Sequence, residues 1–434
     1  MGAAAVVAGG PGRGVGRVVV APRWPAACGA GGPAAAAPAP TARPFHNFAA
    51  GDRGAGASAC AVVEVPSGGA AGALNAVLAA VAPGTIVRLG AGVHAGDVEL
   101  SVPGVHVEPS GAPGSAVIAG DGGVARAAVT VSAAGVVLRG LRIDNGRRAF
   151  FSRGKSPLGG PATVRVAPGG TLAMEGCDVT CDASDGACVD VQAGAGPVVL
   201  ARCAFQSSSI GVLVSGPRGG PRALVEDCAF VPCSVGLYAR DGAAPHVRRC
   251  RFESCSSVGV RLHVREPAGR GRHVEVPRDS WGAAEDGPLV EDCVFASCGV
   301  GIALHTLCDG VVRHNTVRGC YEHGLRAYPL SSGLVEHNIV DAAARAPVLC
   351  DAGSAPVLRH NVVRAGDNVA CVVVDGSGLF YGNALTPSAP GYEVNGVGAV
   401  EMEPGPCRVP AYTEGVAAAG DAGPVEASAA ADAR

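Results

Sequence analysis

Aromatic side chains are scarce in this chain: nine Phe, six Tyr and two Trp among 434 residues, or 4%. A globular enzyme core of that size is ordinarily built around such rings, so the 48% apolar content, rich in Ala and Val, must pack in another way. Lysine is almost missing. Of 34 basic residues all but Lys155 are Arg, which with the abundance of Ala, Gly and Pro reads as a compositional bias rather than a functional signal. Neither sign of charge dominates, and a net charge of −3 leaves no footprint for nucleic acid. No apolar run reaches the roughly 18–20 residues of a membrane-spanning helix, so no membrane is expected as a partner. Ser-His-Asp patterns are lacking, and the Gly-rich strings do not sit between a strand and a helix as a phosphate-binding loop requires.

What the chain does have is a repeat. From Leu289 to Asn383 it recurs every 22 or 23 residues, each unit opening on a short strand that ends in Cys or Asn. The openings are Leu289-Val-Glu-Asp-Cys293, Val311-Val-Arg-His-Asn315, Leu334-Val-Glu-His-Asn338, Val357-Leu-Arg-His-Asn361 and Leu379-Phe-Tyr-Gly-Asn383. The same frame runs upstream through Cys203, Cys228 and Cys250. Each unit holds two or three strand-sized apolar runs broken by Gly, Ser, Asp or Pro, with no helical pattern, so each is one coil of a parallel β-solenoid. Stacked coils lie about 4.7–4.9 Å apart, which turns recurrent positions into columns. A Cys column (Cys203, Cys228, Cys250, Cys293) thus runs into an Asn column (Asn315, Asn338, Asn361, Asn383). Asn can pass hydrogen bonds from coil to coil at an inward turn, and Cys fills the same space as a small hydrophobe.

Two positions earlier stand Glu226, Arg248, Glu291, Arg313, Glu336 and Arg359, with strictly alternating sign. Opposite charges are favourable neighbours across parallel strands, so this column fixes register more than it adds stability. The alternation also settles a count. Cys250 to Cys293 spans 43 residues, and a second coil there would break the order of signs, so the interval is one coil carrying a loop over residues 265–287.

The 17 Cys fall mostly into columns, with Cys233, Cys255, Cys298 and Cys320 forming a second one. That is the placement of packed, reduced thiols in an intracellular, cytoplasmic protein. Bridges between adjacent coils are within geometric reach, and zinc at Cys228 and Cys233 is the third possibility.

Residues 1–57 are Ala, Gly and Pro-rich and are expected to be disordered; five Arg against one acid leave an organelle-targeting leader open. Between Ala70 and Ala82, Leu74, Val77, Leu78 and Val81 fall on one helical face, and Pro83-Gly84 stops the pattern. A short helix over the first coil would cap the open end of the solenoid. The solenoid is expected over 58–400, and the Ala-rich tail 401–434 is expected to be disordered.

The order of this helix, Pro83-Gly-Thr-Ile-Val-Arg-Leu89 and Val136-Val-Leu-Arg-Gly-Leu-Arg-Ile-Asp-Asn145 resembles the first coils of the right-handed parallel β-helix superfamily of carbohydrate-binding and sugar-hydrolase domains, the pectin-lyase-like fold. Ser354-Ala-Pro-Val-Leu-Arg-His-Asn361 and Ser377-Gly-Leu-Phe-Tyr-Gly-Asn383 are similar to the β-helix of the F-box-only substrate receptors of ubiquitin ligases, where Arg-bearing and Glu-bearing coils alternate. No helical F-box reads upstream. The resemblance implies an all-β, right-handed, single-stranded parallel β-helix of about ten to twelve coils with a short capping helix.

Two constellations could carry chemistry. His314, His337 and His360 precede the Asn column on three consecutive coils, a weak candidate for a metal; the plainer reading is a turn position that elsewhere carries Asp227, Arg249 and Asp292. In the strand after the inward turn, Leu237, Val260, Ile302 and Leu325 face the core, so alternation sends Tyr238, Arg240, Arg261, His263, His305, Arg326, Tyr328 and Asp351 outward. Cationic and aromatic side chains in a row suit an elongated acidic or sugar-rich ligand, or a protein surface. Trp281 lies on the loop that leaves beside this strip.

The polygalacturonase-like members of the superfamily carry Gly-His-Gly and Arg-Ile-Lys motifs; here the nearest strings are Glu322-His-Gly324 and Arg142-Ile-Asp144. A lyase of this type needs an acidic calcium cluster beside a basic residue, whereas the acids of the charge column alternate with Arg. The reading is therefore a monomeric, non-catalytic scaffold that binds a protein or polysaccharide without a cofactor. The alternative is a polysaccharide lyase or glycoside hydrolase using Arg261, His263 and Arg326, and a third is substrate recruitment for ubiquitin ligation.

Overall fold

The computed structural model describes residues 18–20, 61–69, 71–121, 127–145, 161–184, 186–207, 209–217, 223–263, 287–343, 345–366, 371–374, 378–387, 392–395 and 400–403. The apolar runs of each repeat become three short strands, one in each of three sheets of 13, 12 and 14 strands. From Ile86 onward, sheet neighbours are strands three places apart in the chain, paired in parallel. Eleven complete coils run from Ile86 to Val374, and Gly378–Tyr381, Ala384–Pro387 and Tyr392–Asn395 supply the strands of one more. The fold is an all-β parallel solenoid, and its core is the column of side chains enclosed by the three sheets.

The register follows the charges. Glu226 stands opposite Arg248, Arg248 opposite Glu291, Glu291 opposite Arg313, Arg313 opposite Glu336 and Glu336 opposite Arg359. Because Arg248 and Glu291 are direct neighbours, the interval between them is a single coil. Its strands are His246–Arg248, Arg251–Glu253 and Val258–Leu262. The insertion expected there, with Trp281, lies outside the described residues.

The inward turn after each of these strands is held in two ways. Asn315, Asn338 and Asn361 are buried, and each Asn amide nitrogen donates to the next Asn Oδ1 at 2.9–3.0 Å and to a core-strand carbonyl. Each Oδ1 in turn accepts the backbone N–H of the preceding coil, as at Asn315 N to Asn338 Oδ1, 3.0 Å. Upstream the thiol substitutes for it: Cys250 N meets Cys293 Sγ at 3.4 Å, and at the changeover Cys293 N donates to Asn315 Oδ1 at 2.9 Å. The thirteen cysteines from Cys177 to Cys350 are buried and unbridged. Burial pushes the Cys233 and Cys320 thiols up to about 12, which keeps them protonated and inert.

The residue just before this column takes a left-handed conformation in every coil: φ is 54° at Asp227, 51° at Arg249, 55° at Asp292, 56° at His314 and 55° at both His337 and His360. Gly382 closes the series at 64°. The three histidines thus occupy a turn position whose other tenants are Asp, Arg and Gly.

One core feature had not been singled out from the sequence. Phe205, Phe230, Phe252 and Phe295 stack through the interior with centroids 5.0, 4.4 and 4.8 Å apart. Gly236 and Gly259 face this stack; a Cβ on Gly259 would sit 2.6 Å from both Phe295 Cδ1 and Gly301 O. Its signal was a Phe two places after each Cys of the column.

Near the first coil, Ala73–Ala80 is helical, with Leu74 and Leu78 buried and Val77 and Val81 packed against the core. Its Asn75 accepts from Glu99 N at 2.8 Å and donates to Asp97 O, two backbone groups at the sheet edge. At the termini the strands exceed expectation. Val18–Val20, inside the stretch expected to be disordered, pairs antiparallel with Tyr392–Asn395, and Val400–Glu403 pairs with Gly378–Tyr381. The rest of both terminal segments lies outside the described residues.

Candidate functional site

The 13-stranded sheet presents its outward positions as two parallel rows. In register, Arg165 is followed by Asp190, Leu213, Tyr238, Arg261, Ala303, Arg326 and Leu349 on successive coils. Two residues further along each strand comes the second row, in which Ser215 stands opposite Arg240. It continues through His263, His305, Tyr328 and Asp351, whose backbone N–H groups bond back to the preceding coil at 2.8–2.9 Å. The outward residues expected from alternation therefore share one flank. Arg165, Asp190 and Ser215 extend it upstream and were missed, because their strands lack the aromatic and histidine residues that drew attention to the later coils.

Contacts within the flank run from coil to coil. Tyr238 Oη and His263 Nδ1 are 3.4 Å apart, and the Arg261 guanidinium lies 5.4 Å over the Tyr238 ring. Arg261 Nε donates to His305 Nε2 at 2.9 Å, so that nitrogen carries the lone pair and the proton sits on Nδ1. The His305 ring stacks on Tyr328 at 3.8 Å, with Arg326 4.3 Å over the same tyrosine. Burial first, then the charges of Arg261, His263 and Arg326, pull the His305 pKa down to about 3. At neutral pH it is a neutral acceptor.

The other guanidinium groups are compensated. Arg326 pairs with Asp351 at 3.0 Å and Arg165 with the buried Asp190 at 3.3 Å, while Arg240 meets Ser215 Oγ at 2.7 Å and Asp241 at 3.6 Å. Beside the rows, Val235, Val258 and Val300 join Ala303 of the first row in a small buried cluster against which Tyr238 and Tyr328 pack. The patch joins apolar and aromatic area to fixed cationic groups.

The histidine turn column has the wrong shape for a chelate. His314, His337 and His360 stack nearly parallel, with centroids 5.2 and 5.3 Å apart, and this face-to-face stacking keeps their nitrogens from converging on one ion. Among the described residues, no group of three His, Cys, Asp or Glu side chains is placed to hold a metal. The acids of the charge column are likewise taken: Glu226 by Arg248 at 2.6 Å, Glu291 by Arg313 at 2.7 Å and Glu336 by Arg359 at 2.6 Å.

This architecture defines a right-handed parallel β-helix, and residues 278–385 match the family model described as right handed beta helix region. No curated protein matches the chain. Similar solved structures include the A-module of a mannuronan C-5 epimerase from Azotobacter vinelandii, at 13% identity over 77% of this chain and 94% of that one, TM-score 0.48. A family 28 exopolygalacturonase from Yersinia enterocolitica is 10% identical over 79% of this chain and 78% of that one, TM-score 0.47. The receptor-binding domain of the siphovirus 9NA tailspike is 9% identical over 79% and 76%, TM-score 0.45. No residue role passes across such distances, and the site rests on its own geometry.

Proposed function

We propose that this chain recognises an acidic polysaccharide along the flank sheet and acts on it as a lyase. The observation that carries this reading is the patch in which Tyr238 Oη meets His263 Nδ1 while Arg261 lies over the same tyrosine ring. Elimination at a uronic acid needs positive charge beside the carboxylate, to stabilise the developing carbanion, and a base for the C5 proton. Arg261 supplies the charge, and the Tyr238–His263 pair supplies the base. The C5 proton passes to that pair, its C–H electrons form the C4–C5 double bond as the C4–O bond breaks, and the departing oxygen takes a proton back from the pair to become the hydroxyl of the second product. The test is to incubate the full chain with a panel of polyuronates, with and without calcium, and follow the ultraviolet absorbance of unsaturated ends. Absorbance should rise with at least one polyuronate and fail to rise with Y238F or H263A.

A second reading, a non-catalytic binding scaffold, is favoured by the internal pairing of Arg326 with Asp351 and of Arg165 with Asp190. Such groups are fixed rather than free to follow a changing charge. Retention of a polyuronate without turnover would select this reading. Recruitment for ubiquitin ligation rests on the alternation of Arg-bearing and Glu-bearing coils, and a pull-down that captures ligase subunits would support it. We also take the helix Ala73–Ala80 as the cap of the first coil, since Asn75 occupies backbone groups of the sheet edge.

A further inference from the structure

We propose that Arg261 is the group on the flank that reads the anionic substituent of the ligand, and that His305 is a positioning residue that aims it. This rests on the acidic-polysaccharide reading above.

Four arginines line the two rows, and three have a carboxylate within ion-pair distance: Arg165, Arg240 and Arg326. Arg261 differs. Among the described residues no carboxylate lies within 4 Å of it, and its side-chain acceptor is His305 Nε2. An imidazole lone pair satisfies one N–H without cancelling the positive charge, so the guanidinium keeps its full attraction for an anion. With Nε engaged, no described residue accepts from the two terminal nitrogens, and their edge suits a carboxylate or sulfate, the planar fork geometry that favours Arg over Lys.

The support behind Arg261 is built to hold that orientation. His305 is clamped by its stack on Tyr328, and the Arg261 plane lies over Tyr238. The next residue of the row, Ala303, is too short to reach it, so the two guanidinium groups of Arg261 and Arg326 are separated by one coil without a polar side chain in that row. Protonating His305 would turn an acceptor into a second cation facing Arg261, His263 and Arg326, which is the state its surroundings disfavour.

The experiment measures affinity of the full chain for a polyuronate, a sulfated glycan and a neutral glucan by calorimetry, with a thermal melt confirming the fold of each variant. R261K should weaken binding of the acidic glycans about tenfold or more, whereas R326K and R240K should change it less than about threefold. H305Q, whose amide oxygen can accept from Nε, should keep most of the affinity, and H305L should lose as much as R261K. If H305L does not fold, the contrast between R261K and H305Q decides. Preference for the polyuronate or for the sulfated glycan identifies the anion, and either supports the proposal. Acidic-glycan binding unaffected by R261K, or affected more by R326K, overturns this assignment and leaves the polysaccharide reading standing. Binding of the neutral glucan alone overturns both.

Discussion

Arg313 Nη2 lies 2.7 Å from Glu291 Oε2, and the two residues stand directly opposite each other on adjacent coils although 22 positions apart in the chain. Both are part-buried, with side-chain exposures of 35% and 15%. Glu291 also accepts from His246 Nε2 at 2.9 Å, and these partners hold its carboxyl down at about 2. The pair is one rung of a column that lets each coil recognise its neighbour.

Reversing one rung should therefore cost more than deleting it. R313E would face Glu291 on one side and Glu336 on the other, and should lower the free energy of unfolding by about 1–2 kcal/mol. R313A should cost about half of that. Urea titrations of both variants check the order; equal losses would mean that the column contributes packing rather than charge.

Asn338 has no spare bonding capacity. Its side chain serves Asn315 N, Asn315 Nδ2, Val312 O and Asn361 Oδ1, all near 3 Å. N338A would strand several buried backbone and amide groups and should destabilise by about 3–5 kcal/mol. N338C should cost less, because Cys293 already shows a thiol doing the same work at the same turn. Guanidinium unfolding midpoints of the two variants provide the comparison.

The aromatic stack sets a steric limit beside it. A methyl group at Gly259 would meet Phe295 and the Gly301 carbonyl at distances no relaxed contact shows. G259A should cost about 1–3 kcal/mol, and the double variant G259A/F295L should recover part of that by freeing space. No recovery in a thermal melt would place the strain in the backbone alone.

Acid should weaken the fold before the carboxylates titrate. His305 and His337 both have pKa values pulled below 6.5, His305 to about 3, with burial as the first cause in each. The titratable and charged groups facing His337 are Glu336, His314, His360 and Arg359. A depressed histidine stays neutral in the folded chain while its unfolded counterpart takes up a proton, so stability is complete above about 6.5 and falls as pH drops below it. Urea midpoints at pH 7.5 and 5.5 should show this decrease, and H305Q should make the decrease smaller. A midpoint that rises on acidification would reverse the assignment.

The solenoid was legible in the linear chain because coil stacking converts a period into a column. Each Glu or Arg of the alternating series needed only its place in the repeat to be assigned a neighbour, and the same arithmetic reduced Cys250–Cys293 to one coil. Alternation likewise sent Tyr238, Arg261, His305 and Arg326 to one flank, since side chains along a strand change face at every residue. What spacing does not contain is side-chain direction and burial. That Arg261 bonds a neutral His305 while Arg326 is taken by Asp351 depends on rotamers and on how far each group is withdrawn from water. The left-handed turn that puts three imidazoles into a parallel stack depends on backbone torsion. Those quantities come into being only when the coils pack on one another, so the identity of the flank residues was set by the order of the letters and their chemistry by the assembled helix.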